Sequence, residues 1–269
     1  MAQKIKKSET NGVYYYTPQS DSSFNMAFDN WLFEKIQRDN KFPRVILRLY
    51  TWKKPAITLG YNQNVDKVID FNQLDESVPV IRRITGGRAI YHDETEITFS
   101  LTADLNIFPE KERSLSKTNE LISVTVVEAL ESVGVMSEWE KKSDSSFTLP
   151  ATGNIKSCFN SYSRYEIFSP NGKIVAGAQR RKGDYIIHQG SLKINGISDC
   201  QAVGQKNETG SLSGGENCVN SYVYTISQFR EIFLERFSEN LNIKLTEQMI
   251  DDEFHREISF LALKLNKIQ

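Results

Sequence analysis

Apolar residues recur at helical spacing in four stretches of the chain. Between residues 23 and 40 they predict an amphipathic helix, with Asp21 to Ser23 as candidate caps. Residues 115–133 predict a second helix, ended by Gly134. The last 45 or so residues carry two more apolar stripes, so two further helices are expected there. The four stripes are Phe24, Ala27, Phe28, Trp31 and Leu32; Leu115 to Val133; Phe229, Ile232, Phe233 and Phe237; and Phe254, Ile258, Leu261 and Leu265.

Strand-forming runs fill most of the rest. VILRLYTW and AITLGY, separated by Lys53 to Pro55, predict a hairpin, and PVIRRI with AIYHDETEITFSL predicts a second pair hinged at Thr85, Gly86 and Gly87. RYEIFS, KIVAGAQRR and YIIHQGSLKI are joined by good turn sequences and predict an antiparallel meander. The polar stretches 137–156 and 203–221 are expected to be loops.

The elements are grouped by type and do not strictly alternate. This grouping favours an α+β fold, with a mainly antiparallel β-sheet flanked by helices, over a doubly wound one. We expect a single domain over residues 1–269, with residues 1–12 as a flexible N-terminal tail.

Charge and composition narrow the functional classes. The 33 Lys and Arg residues nearly balance the 34 Asp and Glu residues, so no overall field favours nucleic acid or an anionic membrane as a partner. The sequence has no apolar run long enough to span a bilayer and no signal-like start, so we expect a cytoplasmic protein, by default a monomer. The three cysteines, Cys158, Cys200 and Cys218, indicate neither a disulfide framework nor a zinc site, and no metal is expected.

Two segments carry candidate chemistry. RRITGGRAIYH places two glycines between strand-forming residues, which fits either a hairpin corner or a close approach of backbone to a ligand. SCFNSYSRYEI places Cys158 where a polar loop enters a strand, and the pairing of the next strand could bring Lys173 toward that loop. From these patterns alone, Cys158 also fits a buried apolar position and Lys173 a solvated turn.

Taken together, several segments resemble the signatures of the biotin/lipoate protein ligase and octanoyltransferase superfamily. They are LRLYTWKKPAITLGYNQ, RRITGGRAIYHDETEITFSL, SCFNSYSRYEI, GKIVAGAQRR and HQGSL, between about Asn25 and Ile194. The segment around Cys158 is most similar to that of the LipM-type octanoyltransferases. The sequence departs from the family pattern in two ways: the usual Gln-His-Gly-Ser order is here His188-Gln189-Gly190-Ser191, and Tyr91 replaces the commoner aliphatic residue before His92.

The resemblance implies roles for particular residues. Cys158 would be the acyl-thioester nucleophile, and Lys173 would lower the pKa of its thiol and face the acyl carbonyl. Arg83, Gly86, Gly87 and His92 would line the acyl site, and the HQGSL segment adds His188 and Gly190 as substrate-binding residues. The small residues Gly177 and Ala178 are candidates for donating backbone N–H groups to an oxyanion.

The reaction implied is transfer of octanoyl from acyl carrier protein to a lysine of a lipoyl-domain protein, such as the glycine cleavage H protein. Exchange between thioesters followed by amide formation needs no ATP, so no cofactor is expected. His92, His188 or the freed thiolate could take the proton from the acceptor amine. Three alternatives remain: an ATP-dependent lipoate-protein ligase, an amidotransferase that moves octanoyl between lipoyl-domain proteins, and a non-catalytic module that binds acyl carrier or lipoyl domains.

Overall fold

The computed structural model describes residues 10–139, 166–169, 172–193 and 225–265. Its main sheet has eight strands in the order β11-β1-β2-β6-β10-β9-β8-β7, and a smaller sheet has the order β4-β3-β5. The strands are β1 (Thr10–Ser20), β2 (Val45–Trp52), β3 (Ala56–Leu59), β4 (Val80–Arg82), β5 (Ile90–His92), β6 (Ile97–Asp104), β7 (Glu138–Trp139), β8 (Ile167–Ser169), β9 (Gly172–Lys182), β10 (Tyr185–Leu192) and β11 (Ile243–Glu247). The helices are α1 (Ser22–Arg38), α2 (Val65–Val68), α3 (Leu115–Ser132), α4 (Ile226–Leu241) and α5 (Asp252–Lys264).

Helices cover both faces of the main sheet. Because neighbouring side chains of a strand point to opposite faces, β2 contributes Ile46 to the core beneath α1 and α5, and Val45, Leu47 and Leu49 to the core beneath α3 and α4. All eight residues of β2 are buried as a result. The α+β prediction is confirmed, and the main sheet is mixed because β1 pairs in parallel with both β2 and β11.

The long helices lie where the apolar stripes predicted them. The side chain of Ser114 accepts a hydrogen bond from the backbone N–H of Lys117 and caps α3. Gly134 follows the end of the same helix with a φ of +83°, which suits a residue without a Cβ. Thr225 and Gln228 form a reciprocal capping box at the start of α4.

Two predicted strand pairs are wrong. β2 and β3 do not form a hairpin, since β2 lies between β1 and β6 in the main sheet while β3 is the central strand of the small sheet. β4 and β5 do not pair with each other either, because they bond to opposite edges of β3. A strand inside a sheet must form hydrogen bonds along both edges, and the strands that supply them can be distant in the sequence. Such pairings outweigh the tendency of strands joined by a short connection to pair with each other.

The meander of β8, β9 and β10 is confirmed. Strand β1 begins at Thr10, inside the segment predicted to be an N-terminal tail, and Glu138–Trp139 forms a short strand at the start of the predicted loop. In the described ranges, no helix is long and apolar enough to cross a membrane.

Candidate active site

Two clefts lie on opposite faces of the main sheet at the pair β9 and β10, and Ala178 borders both. The first, here called the α1-side cleft, encloses about 280 Å³ of space that is partly open to solvent. The second, the α3-side cleft, encloses about 410 Å³ of space that is also partly open to solvent. Residues that line the α1-side cleft include Met26, Tyr50, Thr58, Arg83, His92 and Gln189, and residues that line the α3-side cleft include Asn119, Ser123, Glu166, Gly177, Gln179 and His188.

Two hydrogen bonds and a stacked ring fix His92 in the α1-side cleft. Its Nδ1 lies 2.6 Å from Oε1 of Glu96 and its Nε2 lies 2.8 Å from Oγ1 of Thr58, while Trp52 stacks on the ring at 3.9 Å. Burial lowers the pKa of His92 despite the neighbouring carboxylate, so the imidazole is neutral at pH 7. A neutral ring donates from one nitrogen only, and Glu96 as an acceptor places that proton on Nδ1. Nε2 then accepts from the Thr58 hydroxyl.

Glu96 is fully buried and is shared by several donors. Its Oε1 also accepts hydrogen bonds from the hydroxyls of Thr98 and Ser191, and its Oε2 lies 3.3 Å from the ammonium of Lys193. Burial raises the pKa of Glu96, but His92, Lys193 and the Ser191 hydroxyl together lower it by more, so the pKa lies below its usual value. This carboxylate is therefore ionised and fixes the orientation of the His92 ring.

Arg83 supports the Gly-Gly loop from within. It is 4% exposed, and its guanidinium donates to the carbonyl and the hydroxyl of Thr58, to the hydroxyl of Thr85 and to the carbonyls of Gly86 and Arg88. The acceptors of these five hydrogen bonds are all neutral oxygens, which hold the guanidinium in place. Such an arginine at the wall of a cleft keeps its positive charge near any group bound there.

Gly87 lies in the Gly-Gly loop and has a left-handed backbone conformation. Its φ is +86°, and a Cβ there would lie 2.9 Å from Nη2 of Arg83. A side chain at this position would therefore disturb the donation from Arg83 to Gly86. The bland interpretation of the two glycines as a hairpin corner is wrong, because the loop connects two strands that do not pair with each other.

A second buried network joins the cleft to helix α1. Oδ1 of Asp29 accepts from Arg48 at 2.9 Å and from Ser100 at 2.7 Å, and Oδ2 accepts from Tyr50 at 3.0 Å and from Gln189 at 2.6 Å. Gln189 in turn accepts from the Thr85 hydroxyl at 2.6 Å. Gln189 thus bridges helix α1 and the Gly-Gly loop.

On strand β9, Lys173 is 3% exposed and its ammonium donates to Oε1 of Glu166 at 2.5 Å. Glu166 is 5% exposed and lines the α3-side cleft. A buried ion pair of this kind is stable only when its geometry and hydrogen bonds offset the free energy lost by removing both charges from water. The interpretation of Lys173 as a solvated lysine beside a turn is therefore wrong.

His188 faces the α3-side cleft, away from His92. Its ring is stacked with Phe99 at 5.8 Å, and a Cβ on Gly177 would lie 2.9 Å from its Nε2. Its Nδ1 is buried without a hydrogen-bond partner. Burial lowers the pKa of His188 to about 4, so the ring is neutral at pH 7.

The structure therefore groups the predicted site residues in two sets. Arg83, His92 and Gly190 line the α1-side cleft, with Gly86 and Gly87 in the adjoining loop. Gly177 and His188 line the α3-side cleft. Ala178 belongs to both sets, whereas Lys173 is placed by its pairing with Glu166. Cys158, the predicted nucleophile, lies outside the described residues, as do Cys200 and Cys218.

Sequence reasoning missed the buried polar partners of the predicted site residues. They are Asp29, Arg48, Thr58, Glu96, Glu166 and Gln189. A usable signal existed for some of them: a charged or amide residue inside an otherwise apolar, strand-like or helical stripe must find a partner when it is buried. Arg48 in VILRLYTW and Asp29 on the α1 stripe meet that description.

Comparison with known proteins places this arrangement in a family. A family model described as the lipoyl protein ligase A/B catalytic domain matches residues 21–246. Octanoyltransferase LipM from Carboxydothermus hydrogenoformans is 28% identical over 234 residues, which cover 81% of this chain and 82% of that protein. Octanoyltransferase LipM from Staphylococcus aureus is 29% identical over 252 residues, covering 85% and 86%.

Solved structures agree on the fold. A putative lipoate protein ligase from T. acidophilum with bound lipoic acid superposes with a TM-score of 0.66 at 19% identity, covering 96% of this chain and 94% of that one. A lipoate-protein ligase A bound with ATP gives a TM-score of 0.65 at 19% identity, covering 96% and 94%. With a family match that spans most of the sequence and the same fold in its structural neighbours, the chain belongs to the lipoyl protein ligase A/B catalytic domain family.

Proposed function

We propose that this chain is an octanoyltransferase of lipoate biosynthesis that carries octanoyl as a thioester on Cys158, from acyl carrier protein to a lysine of a lipoyl-domain protein. It is an acyltransferase, as the curated relatives named octanoyltransferase LipM indicate. The observation that supports the covalent route best is the buried pair of Lys173 and Glu166, since Glu166 follows Cys158 by only eight residues in the sequence.

The buried ammonium has a chemical use in such a reaction. A free thiol has a pKa of about 8.5, so only a few per cent is thiolate at neutral pH. A cation that lowers this pKa by about one unit raises the reactive fraction severalfold. Lys173 is held out of water by strand β9, where charges interact more strongly than in water, and it favours the thiolate to the extent that its ammonium lies nearer the sulfur than the Glu166 carboxylate does.

The α1-side cleft offers the apolar surface that an octanoyl chain needs. Met26, Tyr50 and Ile90 contribute apolar wall, and Arg83 and His92 lie at the polar part of the same cleft. Burial of six or seven methylenes gives about 5 kcal/mol of gross binding free energy at roughly 0.8 kcal/mol each. That is sufficient to hold an eight-carbon chain while its carbonyl end remains at the reacting sulfur.

Hydrogen bonding argues against His92 as the proton acceptor, and a low pKa argues against His188. Both ring nitrogens of His92 already have partners, and a pKa of about 4 makes His188 a weak base toward an amine. We therefore assign the proton to the leaving sulfur. The neutral amine of the acceptor lysine forms the amide C–N bond, the C–S bond breaks, and the proton released from nitrogen ends on the Cys158 thiolate.

Of the two residues predicted to donate a backbone N–H to an oxyanion, only one can do so. Gly177 and Ala178 are consecutive and both pair with β10. Consecutive N–H groups of a strand point to opposite edges, so only one of these two can be directed away from β10. The tetrahedral intermediate would therefore need a second donor from outside this pair, and the Arg83 guanidinium, whose N–H groups are already bonded, would contribute its charge alone.

Mass spectrometry of the protein after incubation with octanoyl-acyl carrier protein tests the covalent step. We expect one octanoyl adduct that hydroxylamine removes, lost in Cys158→Ser and kept in the matched variants Cys200→Ser and Cys218→Ser. An adduct that persists in Cys158→Ser would show that another group is the nucleophile.

The same assay separates the proposal from its main rival. Lipoate ligases share the fold, and an ATP-dependent ligase would transfer free octanoate only with ATP. We expect transfer from the carrier thioester to a lipoyl-domain protein without nucleotide. Strict dependence on ATP would replace the proposal with the ligase.

A further inference from the structure

One end of strand β9 carries a concentration of cations that the near-neutral chain does not predict. We propose that this surface docks the acidic carrier protein that delivers the acyl thioester, an inference that rests on the proposed function. The residues, called here the basic patch, are Arg82, Arg88, Arg113, Arg180, Arg181 and Lys182.

The contacts of four of these cations place them around the end of β9, two on each of its faces. The guanidinium of Arg180 donates to the carbonyl of Ile84 at 3.2 Å and lies 4.4 Å from the centre of the Tyr61 ring. Arg82 donates to the carbonyl of that same Tyr61 at 3.1 Å. On the other face of β9, Arg181 donates to the carbonyl of Arg113 at 2.6 Å.

The charges of the basic patch are not neutralised within the protein. Throughout the described ranges, every carboxylate that forms an ion pair does so with a cation outside the patch. Arg82, Arg180 and Arg181 use their N–H groups on neutral carbonyl, amide and hydroxyl oxygens, which fix the side chains without cancelling charge. Glu112 and Asp184, which flank the patch in the sequence, make no ion pair with it in the part of the chain described.

The basic patch also adjoins the α1-side cleft. Ile84, which accepts from Arg180, is the residue after Arg83 in the cleft wall, and Arg88 accepts from Arg83 through its carbonyl. On the opposite side, Ala178 of the cleft precedes Arg180 by two residues on β9. A partner seated on the patch would therefore hold its acyl thioester at the mouth of the cleft.

A partner of complementary charge gains most from such a surface. Fixed positive charges around a binding cleft raise the encounter rate of an anionic partner, and the gain falls as salt screens it. An acidic carrier domain fits this requirement and a small neutral thioester does not. The patch should therefore act on the protein donor and leave a protein-free donor unaffected.

Charge reversal at the two exposed positions tests the assignment. Within the described residues, neither the Arg88 nor the Lys182 side chain forms a hydrogen bond or an ion pair, so the double variant Arg88→Glu with Lys182→Glu should fold normally. We expect the double variant to raise KM for octanoyl-acyl carrier protein by about 10-fold at low salt, the low end of electrostatic steering. Its kcat, and its rate with the protein-free donor octanoyl-N-acetylcysteamine, should stay at the wild-type level.

The matched control is Lys244→Glu, the same change at an exposed lysine on β11, at the far edge of the main sheet. An unchanged KM for the carrier protein in the double variant, or a KM raised equally by Lys244→Glu, would overturn the proposal. A raised KM for the lipoyl-domain acceptor alone would assign the patch to that partner and also overturn it. Failure of the wild type to transfer octanoyl from either donor would instead refute the proposed function.

Discussion

Replacement of His188 by leucine should change how the stability of the protein depends on pH. The folded protein holds this imidazole with a pKa of about 4, whereas the unfolded chain returns it to 6.5. As the pH falls below 6.5 the unfolded chain binds a proton there and the folded protein does not, so unfolding becomes easier. The contribution is fully present above that range and is lost as the pH falls toward 4.

The magnitude follows from these two pKa values. Between about pH 7 and about pH 5, the difference in proton binding at a single group with these values costs about 2 kcal/mol of folding free energy. His188→Leu removes the titrating group and also removes the unpaired Nδ1 from the α3-side cleft. The variant should therefore lose about 2 kcal/mol less stability than the wild type over this interval.

Urea unfolding at each pH measures the effect, with His255→Gln as the control. His255 is exposed on α5, so its replacement should leave the pH dependence at the wild-type level. If His188→Leu and the wild type lose equal stability between the two pH values, the imidazole is not held neutral and the account of its burial is wrong.

Two further predictions concern close packing and the reactive thiol. A Cβ on Gly190 would overlap the Phe99 ring, so Gly190→Ala should lower the free energy of unfolding by about 1–3 kcal/mol. The control Gly86→Ala, at a position with open space around it, should cost much less. Equal losses of stability in thermal unfolding would contradict this account. In the double variant Lys173→Gln with Glu166→Gln, which keeps a neutral hydrogen-bonded pair, the midpoint of the pH profile of Cys158 acylation should rise by about one unit. An unchanged midpoint would show that the Lys173 charge does not act on the sulfur.

Local sequence patterns predicted the helices and strands well, but they predicted poorly which strands pair with each other. The stripe of α4 and the meander of β8 to β10 are encoded by residues near each other in the sequence, through helical spacing and turn residues. The pairing of β1 with β11 joins Thr10 to Ile243, and no local signal encodes a contact over that separation. The short link at Lys53 to Pro55 resembles a hairpin turn but carries the chain from one sheet to the other.

The candidate site shows the same division between what local motifs predict and what only the structure shows. The resemblance of motifs identified Arg83, the two glycines and His92, which lie together at the α1-side cleft. The reversed order of His188 and Gln189 could not be interpreted without the strand register, which directs the histidine toward Phe99 and the glutamine toward Asp29. A change of one position along a strand exchanges the two faces, and only the structure shows which face each residue occupies.

The approach of Gly60 to the Gly-Gly loop limits how that loop can move. A Cβ on Gly60 would overlap the backbone carbonyl of Gly87, so the two main chains touch directly without side chains between them. Strand β3 ends one residue before Gly60. Any ligand that pushes the loop toward this contact must displace the small sheet with it, so the loop and the sheet respond to an occupant as one rigid piece.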